Sequence, residues 1–215
     1  MVQKKRKTSP ATTSEPAKRR GRPRAFEPDE ALSKAVDVFR DGGFAATSLD
    51  DLSDAMGINR PSLYGTFGDK RELYLKAYER YRRELNGKFA PVFAPDLTLR
   101  AMLKKLYSTA LDIYLSGENG PRGCLTMMTA SSEAMADPEI RAVVQNTLKS
   151  TELTLTKRFE VALATGELSA GGNPAVVAQL VAATINSLAI RARAGLPRSE
   201  LEVLSNATID LVCAR

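Results

Sequence analysis

The sequence predicts an all-α fold of about nine helices, and three observations carry that expectation. Apolar residues recur at three- and four-residue spacing from Leu32 to Val212, the pattern of one buried helix face. Prolines, glycines and capping residues punctuate these stretches at their ends. The few β-branched pairs fall inside helical patterns, so no strand signal appears. Hydrophobic residues make up 43% of the 215 and charged residues 26%, ordinary values for a chain with a core.

Residues 1–24 stand apart from the rest. They hold nine bases (Lys4, Lys5, Arg6, Lys7, Lys18, Arg19, Arg20, Arg22 and Arg24) against Glu15 alone, a net of +8. They are rich in Pro, Ser and Thr and nearly empty of large apolar residues, so they read as an arm that is disordered when free. Arg20-Gly21-Arg22-Pro23 resembles the core of an AT-hook. Its glycine permits close approach to a narrow A·T minor groove, where the flanking arginines meet enhanced negative potential. Arg20, Arg22 and Arg24 are the DNA-contacting candidates of the arm.

Residues 25–70 read as a second unit. Pro28, Asp29 and Glu30 start a first helix, which Leu32, Ala35, Val36 and Phe39 make amphipathic and Gly42-Gly43 stops. Thr47 or Ser48 caps a second, with Leu49, Leu52 and Met56 on one face and Gly57 at its end. A third runs from about Asn59 to Phe67, and Asp69 caps a fourth that reaches about Phe89. Two short helices joined by a tight glycine turn and braced by a longer one make a helix-turn-helix. In the third helix Leu63 and Phe67 point to the core. Arg60, Ser62, Tyr64 and Thr66 occupy the opposite face, where side chains of this kind meet bases and phosphates.

From Gly21-Arg22-Pro23-Arg24 through Phe39, Gly43-Phe44, Thr47-Ser48, Leu52, Ala55, Gly57, Leu63-Tyr64, Phe67 and Lys70 to Leu73, the chain resembles the DNA-binding domain of the TetR family of transcriptional regulators. The resemblance implies a homodimer on a palindromic operator, released by a small-molecule effector bound in the helical remainder. It places Ser48, Tyr64 and Lys70 against phosphates and Arg60, Ser62 and Thr66 over base edges, with Pro61 and Gly65 completing the DNA-facing set. Gly65 departs from the larger residue many relatives carry there. Between Ala25 and Lys70 four bases face nine acids, so this unit is −5 and the arm is expected to supply much of the attraction to DNA.

Residues 71–215 read as a helical regulatory and dimerisation domain. Asp96 is the expected cap of a helix through Tyr114, and Cys124-Leu125 opens one that ends near Ala136. Asp137-Pro138, Asn173-Pro174 and Ser199-Glu200 start the last three. Gly123-Cys124-Leu125 and Ala164-Thr165-Gly166-Glu167-Leu168 resemble recurrent features of one broad TetR subgroup. The expected effector pocket draws on Tyr78, Phe89, Phe93, Met102, Leu106, Tyr107, Met127, Met128, Ser131 and Asn186, and suits a neutral or weakly polar molecule. Val177, Leu180, Val181, Thr184 and Leu188 on one helix, with Leu201, Leu204, Thr208 and Ile209 on the next, are the expected dimer interface, as a four-helix bundle of two chains.

Other function classes fare poorly. The chain has no histidine, no nucleophile motif and no glycine-rich phosphate loop, so neither catalysis, a cofactor nor a metal site is expected. Two lone cysteines fit a reducing cytoplasm, with Cys124 a candidate redox or electrophile sensor beside Arg122 and Cys213 incidental. The apolar runs read as too short for a membrane span. The competing expectation is an architectural protein of A·T-rich DNA that has no effector.

Overall fold

A computed structural model describes residues 26–117, 120–169 and 171–214. The basic arm, with Arg20, Arg22 and Arg24, lies outside the described residues.

Pro28–Ala46 forms α1, Leu49–Met56 α2, Arg60–Phe67 α3 and Lys70–Phe89 α4. A short 3₁₀ turn, Ala90–Phe93, leads to α5 at Leu99–Leu115. Leu125–Ser131 is α6, Glu133–Ala136 α7, Pro138–Ala164 α8, Pro174–Arg193 α9 and Arg198–Val212 α10. Among the described residues there is no strand, only an isolated bridge between Leu168 and Cys213. One continuous apolar core runs from Ala31 on α1 to Cys213.

Three local expectations change. The stop at Gly43 is a kink: its φ of 76° breaks the helical geometry, and one further turn carries the chain to Ala46. Thr98 rather than Asp96 caps α5, its side chain accepting from the Ala101 N–H. The single helix expected from Leu125 to Ala136 is two. The Ser131 and Ser132 hydroxyls bond back to the Met127 and Met128 carbonyls, competing with the helical ladder where it breaks at Ser132.

α9 also departs from expectation. Over 18 residues its mean hydropathy reaches 1.5, long and apolar enough by composition to cross a membrane. Its two sides explain this. Ala178, Val181, Leu188 and Ala189 pack into the core, while Val176, Leu180 and Ile190 on the other side are exposed.

The starts of α4 and α8 are tied by charge. Arg71, in the first turn of α4, donates to both carboxylate oxygens of Asp137, the cap of α8, and to Glu139 at 2.6 Å. The Arg71 guanidinium holds the Asp137 carboxyl well below its usual value of 3.8. A carboxyl whose pKa is depressed by folding stabilises above its unfolded pKa and loses that contribution as pH falls through the folded value. Arg71→Met should therefore lower the thermal midpoint near neutral pH, with the difference from the parent narrowing below about pH 4. A midpoint difference independent of pH would show that the pair contributes through packing alone.

Candidate DNA interface and effector cavity

The α2–α3 unit is built by its caps. Ser48 and Asp51 close a reciprocal capping box, with Ser48 N–H on Asp51 Oδ2 at 2.8 Å and Asp51 N–H on Ser48 Oγ at 3.0 Å. Bonds from Ser48 pull the Asp51 carboxyl down. Gly57, at φ 68°, turns the chain sharply, and the Asn59 side chain caps α3 through the Ser62 N–H at 2.9 Å. Leu52, Leu63 and Phe67 bury the inner side of the pair.

On the outer side, α3 brings Arg60, Pro61, Ser62, Tyr64, Gly65 and Thr66 onto one short helix. Arg60, Pro61, Tyr64 and Gly65 are exposed, and Ser62 and Thr66 are half-buried. Tyr64 is 49% exposed. Lys70, at the start of α4, holds its ammonium 4.4 Å from the centre of the Phe44 ring. It is near enough to Asp51 to add to the depression of that carboxyl, so Lys70 and Ser48 share one end of the interface.

Sequence reasoning counted the acids here but not their partners. Asp29 pairs with Arg80 of α4 at 2.5 Å, and Asp37 and Asp41 pair with Arg122. Asp69 caps α4 through the Glu72 N–H at 2.8 Å. Asp50 was missed as a site residue: it pairs with Arg60 at 2.6 Å, across the turn. Nothing in the spacing of ten residues announces that contact.

α1 is clamped to the regulatory helices by three arginines. Arg40 is 8% exposed; its guanidinium donates to the Ile113 carbonyl at 3.1 Å and lies 5.5 Å from the Tyr81 ring centre. Arg193, at the end of α9, donates to the carbonyls of Arg40, Asp41 and Arg122. Arg122 is committed to Asp37 and Asp41, which corrects its expected role as a partner of Cys124. The chain passes beneath this clamp at Gly123, whose φ is 65° and where a Cβ would lie 2.9 Å from the Ala189 carbonyl oxygen.

A cavity of about 160 Å³ lies among α4, α5, α6, α8 and α9. Of the expected lining, Phe89, Phe93, Leu106, Met127 and Asn186 are there. Tyr78 stands just behind the wall, its hydroxyl within hydrogen-bonding distance of the lining residues Thr126 and Thr147, at 3.1 and 3.2 Å. Met102 and Tyr107 are core residues, 0% and 1% exposed. Met128 and Ser131 line a different groove, between the end of α1, α6 and α9. Arg82, Asn86, Thr126, Thr147, Thr151 and Glu152 were not foreseen, and they make the lining more polar than expected, with one charge of each sign. No periodicity marks them, because five helices contribute to one space.

Cys124, 8% exposed, lines both the cavity and the groove beside α1, and the Tyr81 hydroxyl lies 3.5 Å from its Sγ. Burial pushes the Tyr81 phenol well up, so that hydroxyl stays protonated. Cys213, expected to be incidental, is 3% exposed and bridges to Leu168. In the same loop Glu167 accepts from the Leu99 N–H at the start of α5 and pairs with Arg158 at 3.7 Å. Among the described residues no cluster of three or more His, Cys, Asp or Glu is placed to hold a metal ion.

The expected dimer surface divides. Val181, Leu188, Leu201 and Ile209 are 2% exposed or less and belong to this chain's own core, so they have no surface to offer a partner. Leu180 is exposed, and Val177, Thr184, Leu204 and Thr208 are half-buried. The accessible large apolar residues on these helices are Val176, Leu180 and Ile190 on α9 and Val203 and Leu211 on α10. A periodic stripe on a helix with two apolar sides does not say which side a partner meets.

Comparison with known proteins agrees with this architecture. A family profile described as "Bacterial regulatory proteins, tetR family" matches residues 31–77, and one described as "Tetracyclin repressor-like, C-terminal domain" matches residues 100–207. The HTH-type transcriptional repressor ComR of Escherichia coli K12 is 27% identical over 195 residues, spanning 90% of this chain and 92% of ComR. BdcR, an HTH-type transcriptional repressor of the same organism, is 31% identical over 135 residues, covering 63% of this chain and 66% of BdcR. Among solved structures, a cysteine variant of the TetR-family regulator CifR in complex with 26-bp operator DNA matches with a TM-score of 0.76 and 29% identity, over 88% of this chain and 98% of that one. The chain belongs to the TetR family of transcriptional regulators.

Proposed function

We propose that this protein is a cytoplasmic homodimer that represses transcription from a palindromic operator and is released by a small molecule. The observation that carries the reading is the exposed outer face of α3, from Arg60 to Thr66, held on a doubly capped helix-turn-helix. Its role is binding rather than catalysis. Ser48, Tyr64 and Lys70 grip phosphates, while Arg60, Ser62 and Thr66 face bases, and the arm adds Arg20, Arg22 and Arg24. One helix of eight residues reads few base pairs, so two copies related by a two-fold axis double the site. The exposed apolar side of α9, with that of α10, supports the pairing.

Release follows from population shift. An occupant of the cavity pushes on Cys124 and Met127, which form the wall shared with the groove at the end of α1. The arginine clamp passes that displacement to α1, and the two reading heads lose the spacing of successive major grooves, about 34 Å. The hydroxyls, the amides and the single charges of Arg82 and Glu152 suit an amphipathic effector with several hydrogen-bonding groups.

Selection from random duplexes with the full chain tests the operator reading. One palindrome, bound by two chains, is the expected result. Enrichment of A·T-rich sequence without symmetry would replace this reading with an architectural one.

A further inference from the structure

Arg60 opens α3, and the start of a recognition helix is where side chains meet base edges. It does not stand alone. Its Nε–H donates to Asp50 Oδ1 at 2.8 Å, and its Nη2 pairs with Oδ2 at 2.6 Å. A guanidinium has five N–H donors in a planar fork, and this side-on pairing uses the Nε–H and one Nη2–H. The edge formed by Nη1 and Nη2 keeps two parallel N–H groups, the arrangement that meets O6 and N7 of guanine.

Stability does not account for the pair. The two side chains are 53% and 68% exposed, and ion pairs in open solvent contribute little to folding. Capping does not account for it either, because the cap of α2 is made by Ser48 and Asp51. A carboxylate beside the DNA-facing helix also repels phosphates, in a unit that is already acidic. Nearby, a Cβ at Gly65 would meet nothing within 4 Å, so the helix is free of bulk on that side.

We propose that Arg60 reads one guanine in each half-site through its free edge, and that Asp50 is the positioning residue that sets the plane of the guanidinium. The inference rests on α3 as the operator-reading helix. An arginine already held in its docking plane loses less side-chain freedom on binding than a free one. Asp50 thereby trades general attraction to DNA for discrimination at one base pair.

The experiment is selection from random duplexes with the full chain, as the parent, Asp50→Ala, Arg60→Ala and the double variant. The parent should prefer guanine at one symmetric position by roughly 5- to 100-fold. Arg60→Ala should erase that preference. Asp50→Ala should weaken it about tenfold while affinity for a non-specific duplex holds or rises, and should change nothing further once Arg60 is gone. Thermal unfolding checks each fold, and Asp50→Asn, which keeps the side-chain shape, replaces Asp50→Ala if the latter unfolds. A guanine preference untouched by Asp50→Ala, or an equal loss of affinity for every sequence, overturns the inference. A parent that enriches a palindrome without a guanine dependent on Arg60 overturns it too. A parent that enriches no palindrome sinks the operator reading, and this inference with it.

Discussion

Deleting residues 1–20 is expected to lower operator affinity by roughly ten- to a hundredfold at moderate salt and to flatten its salt dependence. The segment carries seven bases against one acid, while the helix-turn-helix unit is −5. The structure sharpens the argument. Asp29, Asp37 and Asp41 are engaged by Arg80 and Arg122, on other elements, which moderates their local effect. Among the described residues Arg60 is the one base on α3 itself, and Asp50 partly neutralises it. Most of the long-range attraction is therefore expected of the arm. Each phosphate that the truncated protein no longer neutralises should reduce the slope of log affinity against log salt by about 0.9. Titrations of parent and truncated protein at several salt concentrations would read both quantities, and an unchanged slope would remove the arm from the binding energy.

Phe39→Ala is expected to have the largest effect on folding, about 3–5 kcal/mol. Phe39 is 0% exposed and meets Tyr74 edge-on, with ring centres 4.8 Å apart, and Phe44 at 6.4 Å. These rings join α1, on both sides of its kink, to α4. Tyr74 continues the path through its hydroxyl, 2.6 Å from Thr129 Oγ1 on α6. A loss of that size is a large share of the stability of an ordinary domain. It should lower the thermal midpoint by roughly 6–20 °C and abolish specific operator binding before the remaining helices melt. A midpoint within about 2 °C of the parent would mean that the site collapses around the deletion instead of leaving a cavity.

Most of the fold was legible because its punctuation is local. Pro28, Ser48, Asn59, Asp69, Asp137 and Asn173 each bound a helix where their chemistry says they should. Caps and glycine turns act over a few residues, and a sequence displays a few residues at a time. Failures came where the competitor was also local but weak. Thr98 displaced Asp96 as a cap, and two serine back-bonds split α6 from α7.

The outer face of α3 was legible for the same reason. It lies on one short helix whose two inward residues, Leu63 and Phe67, orient the others. The cavity was half legible. Large apolar residues such as Phe89 and Phe93 announce a place near the core, but Thr126, Thr147, Arg82 and Glu152 reach it only because five helices converge.

What the sequence by itself determined is most of the helix starts, the helix-turn-helix with its outer face, and the +8 composition of residues 1–24, since each depends on neighbours in the chain. Tertiary structure decided which acid holds Arg60, which side of α9 is core and which is surface, and that Arg122 serves Asp37 and Asp41 rather than Cys124. Those are pairings between residues as many as 85 positions apart. Spacing along the chain carries no record of them, because packing alone brings their atoms within reach.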